Sequence, residues 1–535
     1  MGFYGLMFVS LGSIIGSGWL LGALKAAQVA GPASILSWLL AAAMLSLLAL
    51  TYAELGAAYP VAGGGARVPY YSHGPIAGFT AGWAAWLQAV FIAPIEVLAA
   101  ITYVNSVDTV HEHFNMLDNG LLNGNGLIVA IVLMVVFSAI NLAGAKFMSE
   151  SNTWVVVWKT IVPFLAIMVV AGTQFNTANF SGGKGGFMPY GWHGVFAALT
   201  GGVVFALQGF EQAVQLAGEA KNPKRDLSRA ILTAMAIGAV LYTLLQVVMI
   251  GGFEPGNITI ADKDHVLGWA KPLGAAPSAY GAWYTLALAL GIGWLAKALL
   301  IDAIISPAGT GVIYVGTSAR LSYALGQERE MPSILAKTNK RGVPIFSTIL
   351  AFVVGCLAFG PFKSWKDLVD VVTGTTAIMY AFAPISLAAL HRLDPDRERA
   401  YRAPSPKIVL PAAFCSANLI IYWSGFPTVW KLVLAMVVGL ILFGIGAIRA
   451  NTTNQLSTRA LGWMVPWLAG HVLIGALGRY DGYNVLPNWV DLAVVIAFSL
   501  TIYHLAVRLT LTAEESRAEV AKDAQQLDID VSAES

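Results

Sequence analysis

Apolar runs of about 20 residues recur along almost the whole of this 535-residue chain, each long enough to cross a ~30 Å hydrocarbon core. Fourteen such spans are read, at approximately 3–24, 32–56, 75–105, 126–145, 152–174, 194–216, 228–252, 284–322, 343–360, 367–391, 407–424, 427–449, 459–477 and 487–508. A backbone in hydrocarbon must satisfy its own N–H and C=O groups, which leaves only helices or closed barrels. A barrel needs roughly ten-residue segments of alternating hydrophobicity, and this sequence lacks them. The chain is therefore an all-α polytopic membrane protein. Its 11% of charged residues is far too little to cover a soluble protein of this length. The eighth span is too long for one crossing and predicts an interfacial piece or a bend at Pro307.

Cys356 and Cys415 both lie in apolar segments, so no disulfide framework is implied. The formal net charge of +2 is too balanced for a nucleic-acid partner. Met1 leads directly into the first span, without the charged flank and small-residue cleavage site of a signal peptide. The near absence of an N-terminal arm leaves a truncated sequence or a misplaced start open. With the N-terminus in the cytoplasm, the inside loops collect Lys221, Lys224, Arg225 and Arg229, then Arg320 to Arg341, then Arg392 to Lys407. The outside loops hold only Lys25, Lys184, Lys263, Lys271, Lys363, Lys366, Lys431 and Arg479. This positive-inside pattern, with an even number of spans, predicts that both termini are cytoplasmic; the expected location is the plasma (inner) membrane. The polar, acidic tail from Thr510 predicts disorder or a short surface helix.

Two spans carry glycine-marked interruptions. In span 1, FYGLMFVSL and WLLGALKAA flank GSIIGSG (12–18). Glycine tolerates φ > 0 and lets the backbone leave helical geometry. Unwound backbone at membrane depth is tolerated only where it faces protein or a water-filled cavity. The four-residue spacing of Gly12 and Gly16 equally suits a small-residue packing face. Span 6, GVFAALTGGVVFALQGFEQAVQLAGEAKNPKRD, carries Gly209 and the acidic Glu211 near its middle. It lies five helices after the first break, in the opposite orientation, which is the sequence pointer to an inverted-repeat transporter with substrate bound where the broken helices meet.

GSIIGSG, YAELGAAYPVAGGGA (52–66), FALQGFEQAVQLAGEAKNPKRDLSRAI (205–231) and SARLSYALGQEREMPSILAKTNKRGVPIFSTIL (318–350) together resemble the amino acid–polyamine–organocation permeases. With GSGWL, YSHG and IDAIISPAGTG, the pattern is most similar to the aspartate–proton symporter branch. The resemblance covers roughly the first 390 residues. It implies a transport core over 1–390, built as a five-plus-five inverted repeat (about 1–175 and 194–390) of the kind first seen in bacterial leucine transporters. Four additional helices (391–508) and the acidic tail (509–535) follow.

An amino acid zwitterion brings a carboxylate and an ammonium into such a site. Backbone N–H groups at a half-helix N-terminus suit the carboxylate, which designates Ile15, Gly16, Ser17 and Gly18. Freed carbonyls suit the ammonium, and Ser13, Ile14, Phe205, Ala206 and Leu207 are the candidates, beside Gly209. The resemblance supports both sets and gives Phe205 the role of closing over substrate from outside; the alternative for Phe205 is a lipid-facing or core aromatic. Lys159, in WVVVWKTIVPFLAI, is costly in hydrocarbon and marks a functional site by default. It matches the lysine that proton-coupled members carry in place of a sodium ion, bridging span 1 to span 8 at Ser306 and Thr310; a purely structural lysine is the alternative. Glu211 matches a glutamate tied to proton sensing, or serves as a structural hydrogen-bond acceptor.

Glu96 is a further intramembrane acid with no partner readable from sequence. Lys297 and Asp302 are five helical positions apart, about 140° around the helix, so they should not pair, whereas Asp302 and Ser306 share a face. Lys297 is either a cation for a substrate side-chain carboxylate or an interfacial lysine snorkelling outward. VHEHFN (110–115) lacks metal-site spacing, GGG (63–65) and GGKGG (182–186) lack a P-loop context, and KNPKRD (221–226) reads as a cytoplasmic cap. No cofactor, metal or nucleic acid is implied, and the oligomeric state is open. The expected partners are an amino acid, a proton and membrane lipid. The expected function is proton-coupled amino acid uptake by alternating access, with an acidic substrate such as aspartate. An amino acid/amine exchanger and a non-transporting sensor are the alternatives; no nucleophile–base or metal constellation supports an enzyme.

Overall fold

The computed structural model describes residues 1–61, 63–143, 145–173, 175–181, 186–252, 281–339, 342–450 and 456–522. Lys184, Lys263, Lys271 and Arg341 of the loop-charge pattern, and most of GGKGG, lie outside the described residues. Among the described residues, eleven helices are long and apolar enough to cross a membrane, with Ser17–Ala58 counted as one, and Phe3–Ile14, Gly191–Leu207 and Ile345–Ala358 are shorter apolar helices. All fourteen apolar runs are thus helical, and two of the three short pieces come from the interrupted spans 1 and 6.

Span 1 is split into Phe3–Ile14 and Ser17–Ala30. Span 2 is Ser34–Ala58. A short helix, Gly64–His73, then leads into span 3, Pro75–Val104, which starts on a proline where no N–H is needed. A two-residue antiparallel hairpin, Leu117–Asp118 with Leu121–Leu122, precedes span 4, Gly124–Ala143. Span 5 is Ala145–Thr173, and span 7 is Pro223–Gly252. Span 6, between them, comprises Gly191–Ala198, an irregular turn at Leu199–Val203, Val204–Leu207 and Gln212–Gln215.

The eighth span divides between Leu290 and Ile292, giving a separate Ala282–Ala289 and a continuous Gly293–Gln327. Of the two expectations for this span, the separate piece is what the chain forms, divided off at Gly291, whose φ is +71°, and the second helix runs on through Pro307. Spans 9 and 10 are Ile345–Ala358 and Trp365–Leu393. Spans 11 to 14 are Pro406–Trp423, Phe426–Ala450, Leu461–Leu477 and Val490–Arg508.

Spans 1, 2, 3 and 4 pack against spans 6, 7, 8 and 9 respectively. Spans 3 and 10 run through the middle, with 89% of their most apolar windows buried, against 28% in span 12. Span 12 instead turns Ile441, Leu442, Ile445 and Ile448 outward, the surface expected of a helix in contact with lipid tails. Span 11 packs on spans 10, 2 and 14, which ties the last four helices to the first ten.

The acidic tail begins with a helix over 513–522. Thr512 Oγ1 accepts from Glu515 N at 3.2 Å and Glu515 Oε2 accepts from Thr512 N at 2.7 Å, a reciprocal capping box. Arg459 pairs with Glu515 at 2.6 Å, so the shorter of the two tail expectations, a surface helix, is what these residues form; residues 523–535 lie outside the described residues.

One buried charge cluster joins span 2 to the segment after span 10. Glu54 is fully buried and accepts from Ala403 N at 2.8 Å; His391 Nε2 and Arg399 Nε lie 2.5 and 3.3 Å from its Oε1. Removing one partner of such a cluster leaves an uncompensated buried charge on Arg399, only 3% exposed. Glu54→Ala is expected to destabilise the protein by about 3–5 kcal/mol, read from denaturant unfolding in detergent; a loss below about 1 kcal/mol would mean that Arg399 is rescued by solvent.

Candidate functional site

The break in span 1 is narrower than its glycine content suggests. Helical geometry persists through Gly12 and Ser13 to Ile14 and resumes at Ser17, leaving only Ile15 (φ −86°, ψ 85°) and Gly16 (φ −119°, ψ −142°) outside it. Ser13 stays in the helix with its Oγ donating to the Val9 carbonyl at 2.9 Å. Gly12 packs under Val156 of span 5, where a Cβ would lie 2.7 Å from Val156 Cγ2. The packing role and the unwinding role of this motif therefore both exist, divided between Gly12 and Gly16.

Span 6 opens over Gln208 to Glu211. Gln208 is extended (ψ 158°) and Gly209 has φ +110°, a region favouring glycine. A Cβ on Gly209 would also sit 2.8 Å from the Ser13 carbonyl carbon. The two breaks thus touch, and Ser10 stitches them: its Oγ donates to Phe210 O at 2.8 Å and accepts from Ala213 N at 3.2 Å. Higher up, Gly18 backs directly onto Ala206. Glu211 satisfies the opened backbone of its own span: its Oε2 accepts from Gly209 N at 3.0 Å and from Tyr380 Oη of span 10 at 2.6 Å.

Lys159 is fully buried. Its Nζ donates to the Gly12 carbonyl and to Thr310 Oγ1, both at 2.7 Å. One ammonium therefore links span 5, the last helical turn before the break in span 1, and span 8. Ser306, the other partner anticipated on span 8, donates instead to Asp302 Oδ1 at 2.8 Å.

Glu96, orphaned in the sequence, finds its partner at the other side of the break. Its Oε2 accepts from Ser17 N at 2.8 Å, the first N–H of the second half-helix. Gly16 makes room for this, because a Cβ there would lie 2.7 Å from Glu96 Oε1 and 3.0 Å from Thr310 Oγ1. The half-helix N-terminus, proposed from sequence as a carboxylate receptor, holds a carboxylate belonging to the protein itself. Of the other backbone groups assigned there, Ile15 N donates to Leu11 O at 2.9 Å and Gly16 N to Ile14 O at 3.1 Å. The Ile14 carbonyl also accepts from Tyr242 Oη of span 7 at 2.8 Å, and the Phe205 carbonyl accepts from Gln208 N at 3.2 Å. Ala206 and Leu207 lie fully buried in the short helix just before the span 6 break.

Phe205 is 7% exposed and meets Trp365 of span 10 edge-on, with ring centroids 5.7 Å apart. Trp365 Nε1 in turn donates to Ser17 Oγ at 3.0 Å, so Phe205 faces the break and is not a lipid-facing aromatic. Asp302 is fully buried and its Oδ2 accepts from Trp19 Nε1 at 3.0 Å. Lys297 does not join it: that side chain is exposed, on a different face of span 8. Trp365, Tyr242, Tyr380 and Trp283, whose Nε1 donates to Trp19 O at 3.0 Å, are site residues that sequence reasoning missed. Their only signal was a polar-tipped aromatic inside an apolar run, which is also how a core aromatic looks.

Two interrupted helices crossing inside a bundle of membrane-spanning helices, with buried ionisable groups around the crossing, define a membrane transporter and not an enzyme. The amino acid permease family matches residues 1–443, and the chain belongs to that family of amino acid transporters. It is 34% identical over 534 residues to the glutamate/serine transporter AimA of Bacillus subtilis (strain 168), covering 98% of this chain and 96% of that one. It is 33% identical over 517 residues to the aspartate-proton symporter of the same organism, covering 95% of each. The branched-chain amino acid permease BcaP of that organism is 23% identical, over 85% of this chain and 94% of its own.

The contact between the breaks is testable through Gly209. Gly209→Ala forces a Cβ into a positive-φ position against the span 1 backbone, and is expected to cost about 1–3 kcal/mol and most of the transport rate. Thermal unfolding of the purified variant and uptake into proteoliposomes check both; wild-type values in both would separate the two breaks functionally.

Proposed function

We propose that this permease is a proton-coupled symporter that takes up an acidic amino acid by alternating access. The observation that carries this reading is the Lys159 ammonium, bonded at once to the Gly12 carbonyl and to Thr310. A buried amine is costly to keep charged and readily exchanges its proton. Losing that proton removes the ammonium that holds the last turn before the span 1 break against span 8. Protonation of Lys159 would thereby set how tightly spans 1 and 8 are held, which is the link a symporter needs between ion and helix movement.

On this reading the substrate α-carboxylate takes the backbone N–H groups from Ile15 to Gly18, displacing the Glu96 carboxylate from Ser17 N. The substrate ammonium takes carbonyls around Ser13 and Ile14 and the span 6 break from Phe205 to Leu207. Phe205, resting on Trp365, covers the site, and Glu211 keeps the span 6 break open beneath it. The two Bacillus subtilis relatives that transport glutamate and serine or aspartate, at 34% and 33% identity, support an acidic or small polar cargo. Spans 1–5 and 6–10 would act as two inverted halves, with spans 11–14 as scaffold and both termini in the cytoplasm. The packing of spans 1–4 against spans 6–9 supports that symmetry. Charge in the substrate side chain would need further donors; Lys297, exposed on span 8, offers none in this arrangement.

The test is uptake into proteoliposomes with an inwardly directed proton gradient, competed by aspartate, glutamate, serine, a neutral and a basic amino acid. Aspartate or glutamate should compete best. Lys159→Ala is expected to abolish gradient-driven accumulation at every pH between about 5 and 8. Retained accumulation in that variant would overturn the coupling role. Counterflow with no net uptake under a gradient in the wild type would identify an exchanger, and binding without accumulation a sensor.

A further inference from the structure

Asp302 has no role in the reading above. It is fully buried, its hydrogen bonds come from neutral donors (Trp19 Nε1, Ser306 Oγ and the Trp158 side chain), and Lys159 lies within electrostatic reach. Asp302, Ser306 and Thr310 stand at four-residue intervals on span 8, so they share one face of that helix, about 6 Å apart per step. All three are at most 2% exposed. The upper end of this column is the carboxylate and the lower end is the hydroxyl that Lys159 Nζ contacts at 2.7 Å. Pro307 lies inside the column, and it cannot donate to the Ala303 carbonyl, so the helix ladder contributes one more acceptor there.

Charge balance adds a second argument. Two buried carboxylates, Glu96 and Asp302, lie within electrostatic reach of one buried ammonium, Lys159, and a third acid, Glu211, is buried at the span 6 break. With Glu96, Asp302 and Lys159 all ionised this group carries one uncompensated negative charge, which a low-dielectric interior disfavours strongly. A proton that moves from Asp302 to Lys159 therefore requires Glu96 to hold one of its own. Among the elements packed on span 8, Tyr103 of span 3 also faces Asp302 electrostatically. Span 4 has no titratable side chain, and span 9 has only Cys356.

We propose that Asp302 is a second proton-carrying group, which takes a proton from the outer side and passes it along the Ser306–Thr310 face to Lys159. Ser306 donates to Asp302 Oδ1 and Nζ donates to Thr310 in this arrangement, so both hydroxyls turn before the proton leaves Oδ1 for the Ser306 hydroxyl as that hydroxyl releases its own. A water admitted when the outer side opens would span the next helical turn to Thr310, which would then protonate the neutral amine. The aspartic acid ends as carboxylate, the amine as ammonium, and both hydroxyls and the water are unchanged. Trp19, on the second half of span 1, bonds the carboxylate at 3.0 Å and is itself held by Trp283. Outward movement of that half-helix would strip a donor from Asp302 and admit water to it, so protonation follows the state of the outer side. This rests on the proton-coupled reading of Lys159.

The experiment compares gradient-driven accumulation of labelled aspartate, glutamate and serine with their counterflow in proteoliposomes, for wild type, Asp302→Asn, Asp302→Glu and Ser306→Ala. Asn keeps an acceptor for Trp19 but carries no proton. D302N is expected to lower accumulation at least about tenfold more than counterflow and to flatten the rise in uptake as external pH falls. D302E should restore that rise, and S306A should slow accumulation more than counterflow. Equal losses in both assays for D302N, or a wild-type pH profile, would overturn the proposal and leave Asp302 as an anchor for Trp19. If D302N does not fold, S306A decides alone, since it removes a single hydroxyl. A wild type without gradient-driven uptake would overturn the underlying symport reading instead; K159A uncoupled beside a fully coupled D302N would overturn only this inference.

Discussion

The Lys159 ammonium is the interaction on which the closed arrangement depends. An interrupted membrane helix leaves backbone groups that lipid cannot satisfy, and the Gly12 carbonyl is among those nearest the interruption. Span 5 supplies its donor from a side chain 147 positions away in sequence. The same Nζ reaches Thr310, so the break in span 1 is held between spans 5 and 8 and not left to local geometry. Remaining groups of the break are met one by one: Ile14 O by Tyr242, Ser17 N by Glu96, Ser17 Oγ by Trp365. Every one of these partners comes from a different span. A break bonded in this way is a junction at which six helices meet, span 1 and five partners, and moving any of them alters what the others can bond.

Span 6 solves the same problem differently. Glu211 bonds the Gly209 N–H only two residues away, and Tyr380 fixes the carboxylate from span 10. Its break is capped in part from within, through Glu211, and in part by Ser10 of span 1, whereas that of span 1 is capped mainly by other spans. The asymmetry has a mechanical consequence. The Glu211 cap on Gly209 N stays within span 6 when its neighbours rearrange, while the span 1 break changes its bonding whenever span 5, 3 or 8 shifts. The buried groups Lys159, Glu96 and Asp302 gather on the span 1 side, and Glu211 lies at the span 6 break.

How much of this was legible in the sequence depended on the range of the interaction. The apolar runs were legible because a bilayer acts on each segment separately, and all of them are helices. The two breaks were legible because glycine and a mid-span acid are local signals. The extent of the span 1 break was not, since Gly12 and Ser13 stay helical under contacts with Val156 and Val9. Within span 8, the excess length left a separate piece or a bend at Pro307 open, and the chain divides at Gly291, where a positive φ ends the first helix and the proline is absorbed within the second. Asp302 and Ser306 were rightly paired by helical spacing, and Lys297 was rightly separated from Asp302. Lys159 could be placed at the span 1–span 8 junction only through the family resemblance. Glu96 had no visible partner at all, because Ser17 N is 79 positions away and a backbone N–H has no residue-type signature.

That last point bears on how such a site recognises its cargo. A half-helix N-terminus binds carboxylates without regard to what is attached to them, and Glu96 occupies it with the same chemical group that an amino acid presents. On the proposed reading the substrate carboxylate would compete with Glu96 for Ser17 N, beside Gly16, where a Cβ would lie 2.7 Å from Glu96 Oε1. A displaced Glu96 would remain buried beside Lys159, and its charge there is tolerable only if the ammonium persists or the acid takes a proton. Under the proposed function, binding of the substrate carboxylate and retention of a proton near Lys159 would be one requirement seen from two sides. Cargo and proton would then act on the same few buried charges, and their coupling would be set within this one junction.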